Sequence, residues 1–169
     1  MKAVVLITEG VWEAAVDAAR DAVPADASIE LLHVDTGDAE HVLEGAFSGL
    51  MGRGRRSGAP TALAQDLDQA TAQLLDAAAQ RLGRPCEKRA LKGRPERVAV
   101  AAVEGADLLV MSRDGDFSRL GPKSIGHISR FIIDHVPCQL LLVWPGSVPP
   151  VSSIPPPPPP GHKPPHEHH

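Results

Sequence analysis

The residues best suited to binding chemistry lie in one glycine-bearing loop, residues 112–126, which contains the run Arg113-Asp114-Gly115-Asp116. Glycines allow backbone N–H groups to approach a phosphate, and the start of a following helix offers unpaired donors with a partial positive charge. Arg119 and Lys123 add basic side chains to the same loop. The loop thus has physical features that suit contact with a phosphate. The carboxylates of Asp114 and Asp116 would repel a polyanionic ligand. A triphosphate would therefore need Mg²⁺, which Asp114 or Asp116 could bind together with phosphate oxygens.

The sequence contains none of the common motifs of catalytic sites. The sequence contains no Ser/His/Asp arrangement, no HExxH pair and no GxxxxGK[ST] phosphate loop. His127 and His135 are far along the chain from plausible nucleophiles, and His135 suits a structural role at a helix C-terminus. We predict no catalytic residue and no resident metal ion. Whether the protein is an enzyme stays open, with a slow ATPase side activity as the most that is expected.

Two apolar strands and one helix must position the loop. Asp107–Ser112 and Cys138–Trp144 are short apolar runs, typical of strands in a parallel sheet. Between them, Ile125, Ile128, Ile132 and Val136 recur at helical spacing, with Ser124 predicted as the N-cap and Pro137 as the stop. A right-handed βαβ unit follows, and its loop lies at the carboxyl edge of the sheet, where ligands of such folds bind.

The preceding part of the chain repeats this alternation. Strands are predicted at Lys2–Ile7, Ser28–Val34 and Cys86–Lys92, the last with the charge expected of an edge strand, and helices lie between them. The predicted fold is therefore α/β: a doubly wound, five-stranded parallel sheet of flavodoxin-like order 3-2-1-4-5 with helices on both faces. In that order Thr8-Glu9-Gly10 lies beside Ser112–Gly115, at the point where the strand order reverses.

The stretch from Gly115 through Gly126 to the turn His135, Pro137, Cys138 and the strand LLLVWP resembles the C-terminal signature of the universal stress proteins. In that family the signature is Gly-x2-Gly, nine residues, then Gly-Ser or Gly-Thr. Here Ser112 occupies the first glycine position, ten residues separate Gly115 from Gly126, and His127 occupies the Ser/Thr position. The resemblance in order and spacing of elements extends over residues 1–145, and it implies the same strand order.

The resemblance implies a stress-response module that binds an adenine nucleotide, ATP or AMP, through the glycine loop and the helix N-terminus. Val34 matches the position whose backbone contacts adenine. The family's Asp after the first strand is replaced by Thr8, with Glu9 next to it. The residues implied for nucleotide binding are Thr8, Glu9, Val34, Ser112, Arg113, Gly115, Gly126, His127 and Ser129. The alternative is a homodimeric interaction module with a degenerate site that binds no nucleotide and a proline-rich tail that docks a protein partner.

Composition divides the chain into a domain, residues 1–145, and a tail, residues 146–169, that is rich in proline and histidine and predicted to be disordered. Pro155–Pro160 favours polyproline II, a conformation that some protein partners recognise. The net charge of −4 disfavours nucleic acid as a partner, and the N-terminal apolar run is too short to span a membrane. Two cysteines without a ligand motif favour a cytoplasmic location.

Two further predictions concern surfaces. The last strand, Cys138–Trp144, is apolar and lies at a sheet edge in the predicted order, and an exposed apolar edge must be covered. The family resembled pairs this strand across a two-fold axis, so the resemblance implies a homodimer. His41–Pro60 contains five glycines and three arginines and is predicted as a loop near the carboxyl edge, either closing over phosphate or simply solvated.

Overall fold

The computed structural model describes residues 1–36 and 59–157. Residues 41–58 of the predicted loop His41–Pro60, and the histidines after Pro160, therefore lie outside the described residues. The last two residues of that predicted loop, 59 and 60, instead begin a helix. The strands are β1 (Lys2–Leu6), β2 (Ser28–Asp35), β3 (Glu87–Lys92), β4 (Leu108–Ser112) and β5 (Gln139–Val143). The α-helices are α1 (Trp12–Ala22), α2 (Ala59–Leu82), α3 (Pro95–Ala102) and α4 (His127–His135). Short 3-10 turns lie at Pro122–Ser124 and Val151–Ser153.

All pairs in the five-stranded sheet are parallel, and the order is β3-β2-β1-β4-β5. The predicted fold class and strand order are confirmed. β1 lies between β2 and β4. The carboxyl ends of these three strands are therefore neighbours, although β4 is far from β1 and β2 in the sequence. This is the point of order reversal at which ligands of doubly wound sheets bind.

Two apolar cores cover the faces of the sheet, because successive strand side chains point to opposite sides. Ala3, Val5 and Ile7 of the first strand segment pack against α1 and α2, while Val4 and Leu6 pack against α3 and α4. The first core also includes buried helix residues Ala15, Val16, Ala19, Leu75, Ala78 and Leu82. The second includes Ala99, Val103 and Ile132. Central strands that are buried on both faces explain the continuous apolar runs in the sequence.

The prediction that Ser124 caps the last helix is wrong. The helix begins at His127 with Gly126 as its N-cap residue. Ser124 instead ends the 3-10 turn, is fully buried, and donates its hydroxyl to the carbonyl oxygen of Gly121 at 2.8 Å. A serine hydroxyl can satisfy a local turn as readily as a helix end, so its presence alone does not distinguish the two.

Arg81 and Asp17 join α2 to α1 by a two-point ion pair, with Arg81 Nε 2.9 Å from Asp17 Oδ1 and Nη2 2.6 Å from Oδ2. The hydrogen bond from Arg81 is the main reason that the pKa of Asp17 lies below its ordinary value. A carboxylate with a lowered folded-state pKa stabilises the fold above its unfolded pKa and loses that contribution as pH falls through the folded value.

We therefore expect Asp17→Asn to lower the urea midpoint at pH 7 and to lower it less at pH 3. The effect is small because the pair is partly exposed. The matched control is Asp21→Asn on the same helix, since the Asp21 carboxylate pairs with its sequence neighbour Arg20. A midpoint difference between Asp17→Asn and the unchanged chain that stayed constant from pH 7 to pH 3 would contradict this assignment.

In the described parts of the chain, residues 1–36 and 59–157, no helix is both long and apolar enough to cross a membrane. After β5, residues 146–157 continue along the surface. The backbone N–H of Leu120 donates to Ser153 Oγ at 3.0 Å, so this segment contacts the loop that precedes α4. The rest of the predicted tail, residues 158–169, is outside the described residues.

Candidate functional site

A cavity of about 260 Å³ lies at the carboxyl edge of the sheet, where β1, β2 and β4 end. We refer to it as the carboxyl-edge cavity. Its wall combines apolar residues of the strand ends with polar groups from the loops that follow them. The lining residues are Leu6, Ile7, Thr8, Glu9, His33, Val34, Asp35, Thr36, Pro95, Met111, Ser112, Asp114, Ile128 and Ser129.

Five residues of the implied set lie in the wall of this cavity, namely Thr8, Glu9, Val34, Ser112 and Ser129. Thr8 and Glu9 are exposed at the end of β1, whereas Val34, Ser112 and Ser129 are buried. The other four residues, Arg113, Gly115, Gly126 and His127, lie outside the lining. The fold thus brings residues that are more than 100 positions apart in the sequence to one cavity. Only part of the glycine loop lines this cavity.

Two lining residues, Ser112 and His33, are held in place by hydrogen bonds to backbone carbonyl oxygens. Ser112 Oγ donates to the carbonyl oxygen of Val11 at 2.6 Å, which ties the end of β4 to the start of α1. His33 Nδ1 lies 2.8 Å from the carbonyl oxygen of Ile7. A carbonyl can only accept, so Nδ1 carries the proton, and Nε2 of the neutral ring is left as an acceptor. His33 was not predicted as a site residue.

Asp114 occupies the N-terminus of α4. Its Oδ1 accepts the backbone N–H of Gly126 at 2.8 Å, and its Oδ2 accepts the backbone N–H of Ser129 at 3.2 Å. These are donors that a helix N-terminus would otherwise offer to an anion. A side chain from the preceding loop therefore already supplies a negative group there.

The glycine loop closes on its own backbone. Asp116 N–H donates to the carbonyl oxygen of Lys123 at 2.8 Å, and a Cβ on Gly115 would lie 2.3 Å from that same oxygen. Asp116 Oδ1 also accepts the Ser118 N–H at 2.9 Å and the Ser118 hydroxyl at 2.6 Å. These bonds, the side-chain one foremost, lower the pKa of Asp116. Gly115 is thus required by a close approach between two segments of the loop.

Arg113 is directed toward the other side of the loop. Its guanidinium lies 4.4 Å from the centre of the Trp144 ring, and Nη1 donates to Ser124 Oγ at 2.6 Å. Phe117 meets the same indole edge-on at 6.4 Å. This arrangement makes Arg113 a support for the loop, packed by cation–π contact. Its Nε is buried without a partner among the described residues.

The described residues offer little for binding a metal ion. Across residues 1–36 and 59–157, no group of three or more His, Cys, Asp or Glu side chains is arranged to hold a metal ion. Asp114 and Asp116, which the sequence suggests for Mg²⁺, both accept hydrogen bonds from the protein. The thiols of Cys86 and Cys138 are free and half-buried, and burial is the main reason that their pKa values are raised.

Comparison with known proteins identifies relatives by sequence and by structure. The universal stress protein family matches the chain over residues 7–143. No curated protein sequence matches it significantly.

Several solved structures have the same fold. The hypothetical protein MJ0577 superimposes with a TM-score of 0.63 at 16% identity, over 85% of this chain and 94% of that one. A universal stress protein in complex with cAMP gives 0.56 at 17% identity, over 86% and 98%. A universal stress protein family protein from Arabidopsis thaliana with AMP bound gives 0.52 at 18% identity, over 92% and 95%. At such identities the likeness demonstrates a common fold.

Proposed function

The chain belongs to the universal stress protein family, and from that premise we propose that it is a stress-response module that binds an adenine nucleotide, ATP or AMP, in the carboxyl-edge cavity. The observation that carries the proposal is the position of that cavity, at the ends of β1, β2 and β4, where the strand order reverses. Two neighbours of the same fold are described with cAMP and with AMP bound. Both ligands share an adenosine moiety.

The wall of the cavity supports placing the adenosine moiety there. Leu6, Val34, Met111, Pro95 and Ile128 provide apolar surfaces that suit the faces of a purine ring. The backbone of Val34 at the end of β2 is the group proposed to contact adenine. The hydroxyls of Thr8 and Ser129 are available to hydrogen-bond a ribose.

The phosphates are proposed to extend toward Gly115, Gly126 and His127 at the start of α4. Asp114 accepts hydrogen bonds from two of the backbone donors there, so a phosphate must either displace this carboxylate or lie beside it. A triphosphate in that position would bring Mg²⁺ with it, because the added cation offsets the repulsion between the two anionic groups.

Calorimetric titration with adenosine, AMP and ATP·Mg²⁺ tests the proposal. Ile128→Trp fills the cavity and is expected to weaken binding of every adenosine ligand at least tenfold. Ile133→Trp is the control, since it places the same bulk on the same helix at an exposed position outside the cavity. The proposal fails if the unchanged protein binds neither AMP nor ATP·Mg²⁺, or if both variants bind as it does.

The second candidate function is an interaction module whose site binds no nucleotide. The observation that favours it is the Asp114 carboxylate at the α4 N-terminus, which satisfies donors that a phosphate would use. In that case the partners are proteins, engaged through the proline-rich tail at residues 146–169 or through the dimer surface. Absence of adenosine binding together with retention of a protein partner that is lost on truncation at Pro145 would support this candidate.

We further propose that the protein is a homodimer through Cys138–Trp144, acts in the cytoplasm, and uses neither nucleic acid nor membrane as a partner. β5 pairs with β4 along one edge, and the described residues include no strand on its other edge. Four of its five residues, Leu140–Val143, are each only half-buried. ATP turnover, if present, would be detected as ADP release over time, and binding without turnover is the expected result.

A further inference from the structure

We propose that Asp114 makes this cavity selective for a purine nucleoside without a phosphate over the corresponding nucleotide. The inference rests on the proposed function, because it assumes that the cavity takes an adenosine moiety. It goes further by assigning the ligand class to one residue of this chain. Three features support it: the bonds that Asp114 makes, the charges in the cavity wall, and an unpartnered hydroxyl in that wall.

Asp114 satisfies the groups that would bind phosphate. Gly126 N–H and Ser129 N–H, the donors at the start of the nine-residue helix α4, both point to its carboxylate, at 2.8 and 3.2 Å. The partial positive charge of a helix N-terminus is thereby already compensated by a full negative charge. A phosphate that approached would find these donors in use and a like charge beside them.

The described wall of the cavity is acidic. Its charged members are Glu9, Asp35 and Asp114, and no lysine or arginine is among its lining residues. The arginines nearest in sequence have other contacts: Arg113 lies over Trp144 and donates to Ser124, and Arg130 Nη2 donates to the carbonyl oxygens of Pro122 and Ile125. The negative charge of Asp114 at this end of the wall disfavours an anionic ligand beside it and tolerates a neutral one.

Uncharged polar groups in the same wall are ready for a ligand. Ser129 is 0% exposed, lines the cavity, and its Oγ has no hydrogen-bond partner among the described residues. A buried hydroxyl without a partner is costly, and a ligand that bonds to it removes that cost. In the neutral tautomer with Nδ1–H donated to the carbonyl oxygen of Ile7, His33 adds an acceptor at Nε2. Hydroxyls and an amino group, as in a nucleoside, match this donor and acceptor set.

The volume agrees with a small ligand. About 260 Å³ is at or below the lower end of the range for pockets that hold drug-sized molecules, which is roughly 300–1,000 Å³. This space would hold the adenosine moiety, and a phosphate would extend beyond the lining, so size does not separate a nucleoside from a nucleotide. Charge and hydrogen bonding together favour an uncharged purine nucleoside.

Calorimetric titration of the full chain with adenosine and with AMP, without added metal, tests the inference. For the unchanged protein we expect adenosine to bind at least about tenfold tighter than AMP. Asp114→Asn keeps the size of the side chain and an acceptor oxygen but removes the charge, so the preference should fall to about twofold or reverse. Asp116→Asn removes the same charge from the same loop, outside the cavity, and should leave the preference unchanged.

The outcomes separate the two proposals. If AMP binds the unchanged protein as tightly as adenosine, or if Asp114→Asn keeps the tenfold preference, Asp114 does not select the ligand and the inference is overturned while the binding function stands. If neither ligand binds the unchanged protein or Asp114→Asn, the proposed function fails, and the inference fails with it. Thermal unfolding by circular dichroism checks the fold of each variant, and equal affinities for adenosine and AMP in the unchanged protein overturn the inference even if Asp114→Asn does not fold.

Discussion

Gly115→Ala is expected to lower the free energy of unfolding by about 3 kcal/mol, the upper part of the usual cost of overpacking. The added Cβ would lie 2.3 Å from the carbonyl oxygen of Lys123, 2.6 Å from the carbonyl carbon of Ser124 and 2.9 Å from the nitrogen of Ile125. All three atoms belong to the backbone, so no flexible side-chain end can move aside. For a chain of this size the change corresponds to a fall in Tm of roughly 10 °C.

Gly146→Ala is the matched control for this substitution. A Cβ at Gly146 has no heavy atom within 4 Å, and its backbone does not require the left-handed region. Its effect should stay within about 0.5 kcal/mol, as for ordinary surface changes. Thermal and urea unfolding of the two variants provide the comparison. Equal stabilities would show that the loop does not close on Gly115 as described.

The same glycine shows what a sequence pattern can and cannot establish. Gly115 was assigned to the loop from its place between an apolar strand and a helix, and that place is correct. Its resemblance-based role was to let a phosphate approach, whereas the contact present is with the loop's own residues 123–125. Both roles require a glycine for the same reason, a close approach to backbone, so the residue type does not distinguish a ligand from the chain itself.

The sheet could be predicted because each step is local. Apolar runs of five to eight residues, breakers after them and helical spacing between them specify the elements, and handedness and crossover length then restrict the order. The C-terminus of α2 is one instance: Gly83 has a φ of +68° and donates its N–H to the carbonyl oxygen of Ala79. The predicted edge strand β3 is likewise exposed and charged along most of its length.

The wall of the site was less accessible to prediction because its contacts join residues that are distant in the chain. The same difficulty holds outside the site, where the Arg84 guanidinium donates to the carbonyl oxygens of Val23, Pro24, Ala25 and Ala27, about 60 residues earlier. The sequence marks Asp114 as a negative charge near phosphate and as a candidate Mg²⁺ ligand, but not as a partner of the helix N-terminus. Its role at the α4 N-terminus depends on the path of twelve loop residues, and residue types alone do not determine such a path.

Leu142→Lys is expected to convert the proposed dimer into monomers. Leu142 lies on β5, packs against the core under α3 and α4, and is half-buried in the single chain. A lysine on the strand that forms the interface would place charges from the two protomers close together and would remove apolar contact. Size-exclusion chromatography with light scattering should give twice the 17.8 kDa chain mass for the unchanged protein and one chain mass for the variant.

Leu91→Lys separates loss of assembly from loss of stability. Leu91 is also a half-buried leucine on an edge strand, β3, and packs against the same core. Both variants should therefore lose folding stability to a similar degree, but only Leu142→Lys should change the mass in solution. β3 carries Glu87, Lys88 and Arg89 along its exposed edge, which discourages strand pairing there. A dimer that survived Leu142→Lys, or monomers from both variants alike, would refute an interface through β5.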